Sequence, residues 1–99
     1  MMTNTQYLLV KLAEEAAEVA QKALKAAHLG MEEVEPDQSF TNAERLQLEL
    51  DDMHAIVTML NMECAFAYTP SLLAVSVKRD KVRRYRDYSI GLGLVKETK

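Results

Sequence analysis

The 99 residues contain one cysteine, two prolines, three glycines and no tryptophan. The lone Cys64 has no partner for an intrachain disulfide, which fits a reducing compartment and sets the expectation of a cytoplasmic protein. So few breakers exclude a turn-rich β-sandwich or barrel, which needs a turn after each short strand. No apolar run approaches the roughly 18 residues of a membrane-spanning helix, so no membrane partner is expected. The opening MMTNTQ has no basic stretch ahead of an apolar one, so no secretory signal is read there. What remains is globular in character, with 48% apolar and 27% charged residues. The length suits a single helical domain spanning residues 1–99.

The net charge of −3 conceals a division. Residues 1–69 carry twelve acidic side chains against four basic ones, a net of −8. Residues 70–99 carry eight basic against three acidic, a net of +5. The first part is suited to holding cations and the second to holding anions.

The breakers divide the chain into three helical stretches. Residues 1–29 have neither glycine nor proline and are rich in Ala, Leu, Glu and Lys, with Gly30 as the stop. The acidic segment over about 31–41, with Pro36 inside it, reads as a loop. Thr41 and Glu44 have capping-box spacing and predict a second helix from Asn42 to about Ala67. Thr69-Pro70 predicts the start of a third, running to about Ser89 ahead of a tail at about 90–99. The expected fold is all-α, with three long helices of roughly 20 to 26 residues. The second helix is apolar over more than about half its circumference, which predicts self-association into a multi-helix bundle.

Four carboxylates stand out on this wheel. On the first helix Leu8, Leu9, Leu12, Ala16, Val19, Ala20, Ala23 and Ala27 share an arc, with Glu15 at its edge and Glu18 three residues on. On the second, Glu49 and Asp52 fall inside an apolar arc that includes Leu46, Leu48, Leu50, Met53, Met59 and Leu60. An ionised carboxylate on such a face must be paired with a base such as Arg45 or Lys81, protonated, or bound to a metal. Two i,i+3 pairs on antiparallel helices can converge on one point, and carboxylate-only ligation selects a hard cation, Mg²⁺ or Mn²⁺. On the third helix Lys81 and Arg84 share a side with Val77, Tyr85 and Tyr88, while Arg79, Arg83 and Arg86 point away. Bases placed like Lys81 and Arg84 suit a polyphosphate chain.

Glu14-Glu15-Ala16-Ala17-Glu18 is an EExxE motif and Glu49-Leu50-Asp51-Asp52 an ExxD motif. In this order on long helices, with a basic third helix behind them, they resemble the MazG-like all-α nucleoside triphosphate pyrophosphohydrolases, relatives of the dimeric dUTPases. The resemblance covers residues 5 to 88. It implies Mg²⁺-dependent hydrolysis of a nucleoside triphosphate between the α and β phosphates, releasing monophosphate and pyrophosphate. It further implies Glu15, Glu18, Glu49 and Asp52 as metal ligands, with Glu14 beside them or at a second metal. Lys81 and Arg84, and more weakly Lys78, would bind phosphate. Glu14 or Glu18 would orient the attacking water or accept its proton. A homodimer or dimer of dimers is implied as the assembly.

Other residues offer less. Asp51 and His54 form a single D-x-x-H that faces outward, whereas di-iron bundles need a Glu-x-x-His on two helices. Cys64 lies on the apolar arc as a packed thiol. Tyr7, Phe40, Tyr68 and Tyr85 are available to stack on a base, and Asn42 or Asn61 to read its edge. The alternative reading is a non-catalytic helical homodimer, a regulatory or nucleotide- or nucleic-acid-binding module using its basic third helix. The acidic chain, without a helix-turn-helix pattern, speaks against nucleic acid.

Overall fold

Two threonines start two helices by the same hydrogen bonds in the computed structural model, which describes residues 1–97. Thr3 Oγ1 accepts from Gln6 N–H at 3.1 Å, and Gln6 Oε1 accepts from Thr3 N–H at 3.0 Å. Thr41 and Glu44 exchange the same pair at 3.1 and 2.9 Å. These reciprocal boxes satisfy amide donors that the first turn of a helix otherwise leaves unpaired. They open α1, Asn4–Leu29, and α2, Asn42–Cys64. A third helix, α3, spans Leu72–Gly91, and no strand occurs among the described residues.

Three boundaries differ from the sequence reading. α2 stops at Cys64 and not near Ala67. Alanine is no breaker; the chain is turned by Ala65 and Ala67, both left-handed at φ 53° and 54°. Such a residue costs about 1–2 kcal/mol. The Asn61 carboxamide offsets this by binding both backbone groups of Tyr68 at 2.9 Å. Two exposed hydrogen bonds of about 0.5–1.5 kcal/mol each leave the turn nearly neutral. α3 is capped by Ser71, whose hydroxyl accepts from Ala74 N–H at 3.1 Å, so Thr69-Pro70 precedes the cap. It continues to Gly91, past Ser89, before Gly93 at φ 77° reverses the chain. Thr98 and Lys99, the end of the expected tail, lie outside the described residues.

The chain divides into two compact units, Met1–Tyr68 and the part from Thr69 onward. The division coincides with the charge asymmetry, because Thr69 is uncharged. In the first unit α1 packs against α2 around Leu8, Ala26 and Leu60, with Asn42 the one buried polar residue. In the second, no α3 residue is buried and Leu72 is 86% exposed. No helix among the described residues is long and apolar enough to cross a membrane.

The loop between α1 and α2 is strapped to both. Asn42 donates its amide to the Gly30 carbonyl at 2.9 Å and to Glu33 Oε1 at 2.8 Å. Glu35 accepts from Arg45 at 2.7 Å and Lys25 at 3.3 Å, one cation from each helix. Arg45 first and Lys25 next hold the Glu35 carboxyl below its ordinary value of 4.5. A lowered folded value contributes stability above the unfolded value, and that contribution is lost as pH falls through the folded one. Between about pH 5 and about pH 3 the wild-type thermal midpoint is therefore expected to drop further than that of Glu35→Gln. Parallel melts of the two proteins across that window check this.

Candidate metal centre

The face that α1 turns to α2 runs through Leu8, Leu12, Glu15, Val19, Lys22 and Ala26, all buried or half-buried. The opposing stripe of α2 includes Asn42, Leu46, Glu49, Met53, Leu60 and Cys64. Leu9, Ala16, Ala20, Ala23 and Ala27 are exposed, and Glu15 belongs to the packed stripe instead of its edge. Alanines bury too little area to direct a face; Leu8, Leu12 and Val19 decide it. On α2, α1 covers only part of the expected apolar arc, and Leu48, Leu50 and Met59 remain exposed in the single chain.

Glu15, Glu49 and Asp52 meet between these stripes. One carboxylate oxygen from each lies within 4.8 Å of the others; Glu15 and Glu49 are half-buried and Asp52 is exposed. The ion pairs among the described residues do not include any of the three. Arg45, a candidate counter-ion, is engaged by Glu35 instead. The consequence falls on Glu15, whose pKa rises from 4.5. Burial is the largest cause, followed by the charges of Asp52 and Glu49, a hydrogen bond shared with Glu49, and the charge of Glu18.

The donor set fits a hard divalent cation. All three donors are carboxylate oxygens, the ligand type magnesium and manganese take. Adjacent oxygens around an octahedral Mg²⁺ ion stand roughly 3 Å apart and opposite ones roughly 4.2 Å, so three oxygens within 4.8 Å of one another would draw in to bind it. Glu18 is not part of this group. Its carboxylate turns to Lys22 at 3.5 Å, on the next turn of α1. Glu14 is likewise outside it, paired with Lys11 at 3.4 Å. Asp51 and His54 are both exposed and outside the group.

The bases of α3 fall into two grooves on that helix. Lys81 and Arg84 line a cavity of about 390 Å³ with Tyr85 and Tyr88, and the Lys81 ammonium sits 5.9 Å from the Tyr85 ring centre. Lys78 is not with them. It lines a separate concavity of about 250 Å³ with Arg79, Val82, Arg83 and Arg86.

Neither candidate for reading a base edge has a free carboxamide. Asn42 is buried and its amide is given to Gly30 and Glu33, while Asn61 is held by Tyr68 on both its oxygen and its nitrogen. Short polar side chains near chain reversals often bind backbone, which is the signal the sequence held for both. Tyr7, Phe40, Tyr68 and Tyr85 are all exposed, and Phe66 stacks with Tyr68 at 6.0 Å. Cys64 is half-buried, with the Asn4 amide 4.0 Å from its sulfur. Comparison with known proteins finds no matching family, curated relative or solved structure.

Proposed function

We propose that the chain is a Mg²⁺- or Mn²⁺-dependent pyrophosphohydrolase that cleaves a nucleoside triphosphate between its α and β phosphates. The observation that carries this reading is the meeting of Glu15, Glu49 and Asp52 within 4.8 Å, with no base among the described residues in an ion pair to them. The EExxE and ExxD motifs, and the MazG-like family they resemble, supply the reaction class. Glu15, Glu49 and Asp52 would hold the cation. When bound, it supplies charge neutralisation on the triphosphate and acidifies water at neutral pH. Glu18, one turn away, has a half-exposed side chain paired to half-buried Lys22, and would join the ligands or take the proton from the attacking water by releasing that pair. Glu14 would do the same by releasing its contact with Lys11. Lys81 and Arg84 offer cations to phosphate oxygens, where charge builds on the leaving pyrophosphate. Lys78 faces another groove and contributes less.

The assembly we propose is a homodimer or dimer of dimers in the cytoplasm. Exposed Leu48, Leu50 and Met59 on α2, with Leu72 and Leu73 on α3, support burial against another copy. The test is release of pyrophosphate from a panel of ribo- and deoxyribonucleoside triphosphates with Mg²⁺, Mn²⁺ or chelator. Release from at least one nucleotide, abolished by chelator, is expected. No turnover of any nucleotide with either cation defeats the reading.

A second reading rests on the groove of Lys78, Arg79, Arg83 and Arg86. It is a non-catalytic helical homodimer whose α3 binds nucleotide or nucleic acid. Salt-dependent binding of a labelled oligonucleotide, lost when Arg79 and Arg86 become Ala, distinguishes it.

A further inference from the structure

The segment leaving α2 is built against its own backbone preferences. Ala65 and Ala67 lie at φ 53° and 54°, a region few residues other than glycine and asparagine enter. Neither alanine is buried, so core packing does not force them there. A side chain does. Asn61 Oδ1 accepts from Tyr68 N–H and Asn61 Nδ2 donates to the Tyr68 carbonyl, each at 2.9 Å. Inside this closure Phe66 N–H reaches the Leu60 carbonyl at 3.3 Å, and the Phe66 and Tyr68 rings stack. Both Asn61 bonds are exposed, so water competes for every group the carboxamide holds. Unfavourable backbone conformations set against water-accessible hydrogen bonds bring the closed and open forms near to balance. A segment so balanced opens ahead of the helices beside it.

We propose that Ala65–Tyr68 is a latched strap, which the Asn61 carboxamide closes over two left-handed alanines and which opens ahead of α1 and α2. The claim stands independently of the catalytic reading. The carboxamide serves as latch because it presents an acceptor and a donor on two separate atoms, one for each backbone group of Tyr68.

Hydrogen exchange on the full chain, read as protection factors at single amides, tests it. In Asn61→Ala, the modest protection at Tyr68 is expected to be lost, with Leu8 and Leu60 within about twofold of wild type. Ala65→Gly with Ala67→Gly in the wild-type background, where Asn61 is kept as the acceptor, removes the left-handed penalty and is expected to raise protection at Tyr68 about fivefold or more. Unchanged protection at Tyr68 in Asn61→Ala overturns the latch. A loss spread equally through α1 and α2 makes Asn61 a general stability residue and also overturns it. Failure of the glycines to raise protection at Tyr68 removes the strain from the account, and the strap with it.

Discussion

Glu49→Gln is expected to stabilise the cation-free protein while destroying its response to divalent ions. Glu49 adds negative charge and a shared hydrogen bond to a group whose Glu15 already resists ionisation. A neutral amide of the same shape removes that repulsion, so the midpoint in chelator rises. In wild type, a cation at about one hundred times its dissociation constant adds about 2.7 kcal/mol. For a chain of this size that lifts the midpoint by on the order of 10 °C. In Glu49→Gln the increment vanishes, and pyrophosphate release falls more than about 100-fold, since loss of residues merely supporting metal ligands already costs 10–100-fold. The opposite signs matter. A residue that only holds the fold loses stability when changed, whereas a ligand built against repulsion gains it and loses function. Melts with chelator and with Mn²⁺, alongside the nucleotide assay, read both. A lower midpoint in chelator together with a retained Mn²⁺ shift would end the metal-site interpretation.

The second large effect concerns Leu60. At 1% exposure it is the most enclosed side chain in a first unit with few buried residues, alongside Leu8 at 2%. Truncating a buried leucine to alanine removes its transfer free energy and leaves a cavity, together about 2–5 kcal/mol. With so few other enclosed side chains to compensate, the midpoint is expected to fall by roughly 10–30 °C. Leu24→Ala is the control, because that side chain is 70% exposed. Its change should stay within about 0.5 kcal/mol. Urea melts followed by far-ultraviolet circular dichroism compare the two. Equal effects at both positions would mean that α1 and α2 are held by something other than the packing around Leu60.

Much of this molecule is written in local pattern. The caps at Thr41 and Gly30 are short-range devices, and both lie where their residue types place them. The acidic and basic portions follow from composition alone, and the three-helix, all-α architecture from the spacing of breakers. Glu15, Glu49 and Asp52 could be singled out because helical periodicity fixes the angle of each residue about its own axis. The same periodicity says nothing about how one helix is rotated against another. That rotation put Glu15 on the packed stripe and turned the alanines of α1 outward. It brought three carboxylates together while Glu18 remained with Lys22. Contacts between side chains and distant backbone were equally hidden. The end of α2 at Cys64 depends on a carboxamide seven residues before Tyr68, and the α1–α2 loop on a glutamate shared by two cations. Sequence therefore determined which segments are helical and which residues are candidates. Tertiary structure alone decided which of those meet, because close approach depends on the relative rotation and register of packed helices, which no single helix encodes.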